Sequence, residues 1–140
     1  MNLLLDTNIV SVFLKSNDTR AAIYGPLIQG HQLHISFMTV AELYRWAHSK
    51  NWGAQRTQRL GEHIQRCTIL PASHEVCLRW ARVQAHRGSI GRPISSNDAW
   101  IAATALHYGL GLVTHNLKDF VELPELVLVT PADNSDRENL

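Results

Sequence analysis

The feature that most constrains the fold is an apolar run near the start of the chain that ends abruptly on an acid. Leu3, Leu4 and Leu5 do not alternate with polar residues, and Asp6 follows them directly. A strand with one face in water alternates apolar and polar residues, whereas a strand buried on both faces does not. The run therefore predicts a strand inside a covered sheet, with the carboxylate of Asp6 at the edge of that sheet.

Strand-like and helix-like segments alternate along the rest of the chain. Short apolar segments predict further strands at 32–36, 68–70, 110–114 and 126–130. The segments between them predict helices at 7–14, 18–30, 39–49, 53–66 and 73–87, and a sixth over 95–109 that ends at Gly109. This alternation is typical of βαβ units, in which helices cover a parallel sheet. The sequence thus predicts a single α/β domain over 1–132, followed by a polar C-terminal tail over 133–140.

Composition limits the class of protein. Of the 140 residues, 45% are hydrophobic, which is enough for a core. No apolar run approaches the ~20 residues that a membrane-spanning helix needs. The N-terminus lacks the features of a secretory signal. Cys67 and Cys77 fit neither a zinc-binding spacing nor a disulfide scaffold. We therefore expect a cytoplasmic protein with reduced thiols and no membrane association.

Charge is unevenly distributed, although the net charge is only +1. The segment from Arg45 to Arg92 has nine Lys or Arg residues and two acids, whereas the segment from Asp119 to Leu140 has six acids and one base. A basic stripe is a typical footprint of a polyanion. Arginines are also the ordinary solvated surface of helices, so the stripe by itself leaves both interpretations open.

Three acids fall where parallel α/β folds place functional groups. Asp6 follows the first predicted strand, Glu42 lies in the first turn of the helix after the second strand, and Asp98 lies in the first turn of a later helix. Ligands bind beyond the carboxyl ends of parallel strands, so we expect these carboxylates to converge. Clustered carboxylates need a cation, and oxygen ligands suit Mg²⁺ or Mn²⁺ rather than zinc. The chemistry predicted is a metal-activated water, with the metal also stabilising charge on a phosphate.

Each acid alone also has a structural explanation. The segments TVAE (39–42) and SSND (95–98) fit capping boxes with Thr39 and Ser95 as N-caps, and Asp6 is itself a suitable N-cap. Other chemistries find no support, because the sequence contains no nucleophile elbow, P-loop or GxGxxG motif, and its histidines show no metal-binding spacing.

Three segments together resemble the PIN domain family, and more narrowly its VapC/FitB-like toxins of bacterial type II toxin–antitoxin pairs: LLLDTNIV, TVAEL and SSNDAWIAATALHYGLGLVTHNLKDF. The resemblance covers nearly the whole chain in the right order. It implies a three-layer α/β/α fold with a central, mostly parallel sheet flanked by helices. It also implies Mg²⁺-dependent cleavage of RNA by a homodimer that a small VapB-like antitoxin inhibits.

The resemblance further implies roles for individual residues. Asp6 and Asp98 match the family's metal-binding aspartates, and Glu42 matches its third acid. The residues matched to the lining of the site are Thr7, Asn8 and Thr114. Where the family often has a fourth acid this chain has Asn116, which adds no charge to a second metal site. Asp119, three residues further on, either supplies that carboxylate or caps the next turn.

The basic stripe supplies candidates for contact with the RNA backbone, namely Arg45, Lys50, Arg87 and Arg92. Trp46 and Trp52 are candidates to stack on unpaired bases, with core packing as the alternative.

Two other functions stay open on sequence alone. One is a catalytically silent PIN-like module that binds RNA or protein, which Asn116 favours. The other is phosphotransfer through Asp6, which is disfavoured because such enzymes need a second Asp where this chain has Asn8.

Overall fold

The structure is a computed structural model that describes residues 2–15 and 17–131, and within these ranges five short strands form one parallel sheet. The strands are β1 (Asn2–Leu5), β2 (Gln32–Ser36), β3 (Thr68–Leu70), β4 (Gly111–Val113) and β5 (Leu128–Val129). Their order is β3-β2-β1-β4-β5, and each neighbouring pair is parallel. Residue 132 and the predicted tail, 133–140, lie outside the described residues.

Helices connect the strands and cover both faces of the sheet. Those of the described ranges are α1 (Thr7–Leu14), α2 (Ala21–Ile28), α3 (Phe37–Ser49), α4 (Ala54–Gln65), α5 (His74–Ser89), α6 (Ser96–Tyr108) and α7 (Leu117–Phe120). The three-layer α/β/α prediction is confirmed. None of these helices is long and apolar enough to cross a bilayer.

The central strand β1 is buried on both faces, as the unbroken apolar run predicts. Leu3 and Leu5 pack into a core with α1, α2, α3 and α4, whereas Leu4 packs into a second core with α5 and α6. All three side chains are at most 3% exposed. Full burial of a leucine stabilises a fold by roughly 1.5–3 kcal/mol, so this strand anchors both layers.

Helix α6 packs closely because small side chains cover much of its surface. Ala99, Ala102, Ala103 and Ala105 are all buried, and the helix packs against α5, α3 and the sheet. It begins at the predicted N-cap Ser95 and ends at Gly109, which adopts the left-handed conformation (φ 65°) that glycine tolerates best. This fixes the first turn of α6 at the edge of the sheet where β1 ends.

Candidate active site

The candidate site lies at the carboxyl edge of the sheet, beside the point where strand order reverses. From β1 the chain moves outward to β2 and β3, whereas β4 and β5 lie on the other side of β1. Such a reversal opens a crevice between neighbouring strands, where α/β proteins bind ligands. Asp6 follows β1 and Thr114 follows β4, and the backbone N–H of Asp6 donates to the carbonyl of Val113 at 2.9 Å.

Asp6 is the most deeply buried of the three predicted acids, at 3% exposure. It is the N-cap of α1, where its Oδ1 accepts from the backbone N–H of Thr7 at 2.7 Å. Its Oδ2 accepts from the hydroxyl of Thr114 at 2.9 Å. Burial raises the pKa of Asp6 from 3.8 to about 6, the two hydrogen bonds oppose that rise, and the charges of Asp98 and Glu42 add to it.

Glu42 is held by a chain of two threonine hydroxyls. The hydroxyl of Thr7 donates to Oε1 of Glu42 at 3.1 Å and lies 2.9 Å from the hydroxyl of Thr39. Because Thr7 has a single hydroxyl proton, the Thr39 hydroxyl donates to Thr7. Burial raises the pKa of Glu42, the bond from Thr7 lowers it, and the nearby Asp98 raises it further.

The predicted capping box at 39–42 is wrong. Helix α3 begins two residues earlier, with Ser36 as its N-cap accepting from the N–H of Thr39 at 3.2 Å. Glu42 therefore lies in the second turn of α3, where its carboxylate is not needed to cap the helix. Because Ser36 caps the helix, the hydroxyl of Thr39 is not used for capping. Thr39 is fully buried, and its hydroxyl supports Thr7 instead.

Asp98 lies in the first turn of α6, as predicted. The Ser95 hydroxyl accepts from the N–H of Asp98 at 3.1 Å, which confirms Ser95 as the N-cap. Burial raises the pKa of Asp98, the Ser95 hydroxyl lowers it, the charge of Asp119 raises it, and Arg87 lowers it. Since Asp98 in turn raises the pKa values of both Asp6 and Glu42, the three carboxylates form one mutually repelling group.

The donor set fits a magnesium ion better than a metal enclosed by protein ligands. Within residues 2–15 and 17–131, the ion pairs join Arg20 to Asp18, Arg79 to Glu125 and Arg92 to Glu122, and none of them neutralises the three acids. No three described His, Cys, Asp or Glu side chains form a metal cage by themselves. Mg²⁺ usually binds through one or two carboxylates and keeps several of its waters. Asp6 and Asp98 could provide those two carboxylates.

The segment after β4 places two more of the predicted residues. The N–H of Asn116 donates to the Thr114 hydroxyl at 3.0 Å, so the residue that anchors Asp6 also shapes this turn. Asp119, within α7, lies close enough to Asp98 to raise its pKa, so it adds negative charge beside the site. Asn8, in the first turn of α1, lines an adjoining cavity.

Arg87 was predicted to contact RNA, but the structure buries its side chain and engages it with backbone carbonyls. Its side chain is only 5% exposed. Its Nε donates to the carbonyl of Arg92 at 2.7 Å, and its Nη1 donates to the carbonyls of Asp119 and Val121 at 3.1 and 3.0 Å. Arg87 therefore ties the end of α5 to the segment that carries Asp119. Sequence reasoning could not have found this role, because basic residues are common in the last turn of helices and this one looks like any other.

The other three predicted cations are exposed but differ in their surroundings. Arg45 lowers the pKa of Glu42, so its charge reaches the site. Lys50 lies with its Nζ 5.4 Å from the ring centre of Trp46. Arg92 pairs with Glu122 at 2.6 Å, so its charge is already engaged.

A family model for the PIN domain matches residues 3–126, which is most of the chain. The chain belongs to the PIN domain family. This PIN domain is 32% identical over 125 residues to Ribonuclease VapC1 of Haemophilus influenzae strain R2866, covering 88% of this chain and 92% of that one. The similarity to the VapC group seen in the sequence is thereby confirmed.

Solved structures agree with the fold of this PIN domain. VapBC-1 from nontypeable Haemophilus influenzae superposes with a TM-score of 0.80 at 30% identity, covering 94% of this chain and 99% of the matched chain. VapBC2 from Rickettsia felis, bound to a DNA fragment from its promoter, gives a TM-score of 0.82 at 24% identity, covering 93% and 98%. The second likeness concerns the fold alone.

Proposed function

We propose that this PIN domain is a Mg²⁺-dependent endoribonuclease and the toxin of a type II toxin–antitoxin pair. The observation that carries the proposal is the group formed by Asp6, Glu42 and Asp98. Burial raises the pKa values of all three acids, the charge of Asp98 raises those of Asp6 and Glu42 further, and the charge of Asp119 raises that of Asp98. Such a group is electrostatically unfavourable unless a cation joins it. The similarity to Ribonuclease VapC1 supports RNA as the substrate class.

The proposed roles come from the family resemblance and are supported by how each acid is held. Asp6 and Asp98 would hold the Mg²⁺ ion, and Glu42 would assist them. When bound, Mg²⁺ lowers the pKa of a coordinated water and stabilises negative charge on the phosphodiester. Either Glu42 or Asp98 orients the attacking water and accepts its proton. The hydroxyls of Thr7 and Thr39 hold Glu42 in position for this role. The products expected from the family pattern carry a 3′-hydroxyl and a 5′-phosphate.

Metal binding and protonation compete in this arrangement. Because the pKa of Asp6 is about 6, a fraction of the molecules carries a proton there near neutral pH. A ligand carboxylate must be ionised, so binding of Mg²⁺ releases that proton. Activity should therefore rise with pH through this range.

The proposed partners are a small VapB-like antitoxin and a second copy of the chain. Support for the antitoxin comes from the likeness to VapBC-1 at 30% identity over nearly the whole chain. Homodimerisation is proposed from the family resemblance.

A catalytically silent module is the alternative that one observation favours. Asn116 stands where the family often has a fourth acid, so this chain supplies one charge fewer at that position. Asp119 adds negative charge near Asp98, which weakens this alternative. A silent module would bind RNA without cleaving it in the presence of Mg²⁺ or Mn²⁺.

The deciding experiment compares RNA cleavage by wild type, Asp6→Asn and Asp98→Asn in Mg²⁺ and in EDTA. Glu62→Gln is the matched control, because Glu62 is an exposed carboxylate of α4 away from the site. We expect wild type and the control to cut only with metal and both site variants to fall to background. Cleavage by both site variants at the wild-type rate would disprove the metal-site assignment.

A further inference from the structure

A groove runs from the candidate site along the side of α1. Its first part is a cavity of about 220 Å³ that begins at Asn8, two residues beyond Asp6, and extends past Trp46 and Lys50. Its second part is a cavity of about 820 Å³ that reaches Arg59 and His63 on α4. The two parts share Leu14, Lys15, Trp52 and Arg56 in their walls, so they form one continuous surface. We call this surface the basic groove.

The basic groove is strongly cationic. Its described lining residues include five Lys or Arg side chains and one acid: Lys15, Arg20, Lys50, Arg56, Arg59 and Asp18. The acid is already engaged, because Arg20 donates to its two carboxylate oxygens at 3.0 and 2.8 Å. Four cations are therefore left facing the groove without an ion-pair partner in the described residues. A surface of this kind attracts a polyanion.

Two cation–aromatic pairs lie along the groove. The guanidinium carbon of Arg56 is 3.9 Å from the ring centre of Trp52, and Nζ of Lys50 is 5.4 Å from that of Trp46. Arg56 is exposed, whereas Trp52 is partly buried against the core. A flat guanidinium laid on an indole keeps its outer face available, and guanidinium planes are surfaces on which unpaired RNA bases stack.

We infer that the basic groove binds the single-stranded part of the RNA substrate next to the scissile phosphate. Backbone phosphates lie on Lys15, Lys50 and Arg59, and one unpaired base stacks on the Arg56–Trp52 pair. Charge alone would also suit an acidic peptide, but a cation layered on an aromatic ring beside a phosphate-cleaving site matches single-stranded RNA. The inference rests on the proposed ribonuclease function. It moves the RNA path away from Arg87 and Arg92 and retains only Lys50 of the cations predicted from sequence.

The test measures binding without cleavage, in the Asp6→Asn, Asp98→Asn background and in EDTA. A fluorescein-labelled single-stranded RNA of about 12 nucleotides is titrated by anisotropy from about 50 to about 200 mM KCl. Lys15→Ala, Arg59→Ala should reduce the slope of log affinity against log salt by about 1.4, because each lost phosphate contact on a single strand contributes about 0.7. Arg66→Ala is the matched control, an exposed cation at the end of α4 outside the groove, and should change nothing.

Stacking is tested with Arg56→Lys, which keeps the charge but loses the flat guanidinium and is exposed enough to leave folding intact. We expect at least about fivefold weaker binding of the RNA, with the salt slope unchanged. The same strand made with abasic sugars should bind equally well with and without this substitution.

The possible outcomes separate the two proposals. If wild type cleaves RNA but the groove variants bind it like their parent, the groove inference is wrong and the ribonuclease function stands. If the groove variants keep RNA binding and lose a protein partner instead, the surface is a protein-docking site and the inference also fails. If the protein neither binds nor cleaves RNA, both proposals fail.

Discussion

Replacing Asp6 by asparagine should stabilise the metal-free protein, and the gain should grow with pH. In the folded state the pKa of Asp6 is about 6, chiefly because of burial, against an ordinary value of 3.8. Between these two pH values the folded state binds more protons than the unfolded state, so the free energy of unfolding falls as pH rises. At about 1.4 kcal/mol for each pH unit, the charge on Asp6 costs about 3 kcal/mol at pH 7.

Asp6→Asn removes this cost while keeping an oxygen that can accept from Thr7. The amide also places an N–H₂ group where the Thr114 hydroxyl now donates, so part of the gain is lost to that bond at every pH. The quantity to compare is therefore the change in the stability difference with pH. We expect the difference between variant and wild type to grow by roughly 2–2.5 kcal/mol from about pH 4 to about pH 7, because a small part of the cost is already present at pH 4.

The assay is urea unfolding followed by circular dichroism in EDTA over that pH range. Asp18→Asn is the control, because Arg20 holds the pKa of Asp18 at about 2 and its stabilising contribution is lost only as pH falls below 3.8. The control difference should stay flat above pH 4. Parallel curves for wild type and Asp6→Asn across the range would refute the reasoning, since Asp6 would then ionise alike in both states. Adding Mg²⁺ at pH 7 should stabilise wild type and not the variant.

Three further changes test the surroundings of the site. Thr114→Val should weaken Mn²⁺ binding in calorimetry and lower the free energy of unfolding by about 1–3 kcal/mol, because it removes the bond to Asp6 and the acceptor for the Asn116 N–H. Thr114→Ser should keep both bonds, so equal behaviour of the two variants would contradict this prediction. Arg87→Met should lower the free energy of unfolding by about 3 kcal/mol or more, since three hydrogen bonds to backbone carbonyls are lost. The control Arg92→Ala removes an exposed ion pair and should lower it by about 1 kcal/mol at most, so an equally small effect of Arg87→Met would disprove the anchoring role of Arg87. Asn116→Asp should tighten Mn²⁺ binding by adding a carboxylate after β4, and unchanged affinity would place this residue outside the metal site.

Local chemistry in the sequence was enough to predict the frame of the protein. The unbroken run Leu3–Leu5 required a strand buried on both faces, and the alternation of strands and helices required parallel crossovers. Parallel strands share a carboxyl edge, so acids that follow strands or begin helices were expected to meet there. Asp6 and Asp98 satisfied that expectation because N-cap chemistry at residues 6 and 95 is readable from sequence.

The tertiary structure decided what each side chain touches. Ser36 and Thr39 are both good N-caps by residue type, and burial of Thr39 against Thr7 determined that Ser36 caps α3 while Thr39 supports Glu42. Arg87 looked like any surface cation until the fold brought three carbonyls around it.

The basic groove likewise exists only in the folded chain. Its walls come from α1, the segment after it, α3 and α4, and its lining residues range from Asn8 to His63 in the sequence. Helical periodicity states which face of an element is apolar, but it carries no information on which side chain of another element will lie opposite. Contacts between distant segments depend on close packing and on the pairing of buried polar groups, and these are properties of the assembled fold.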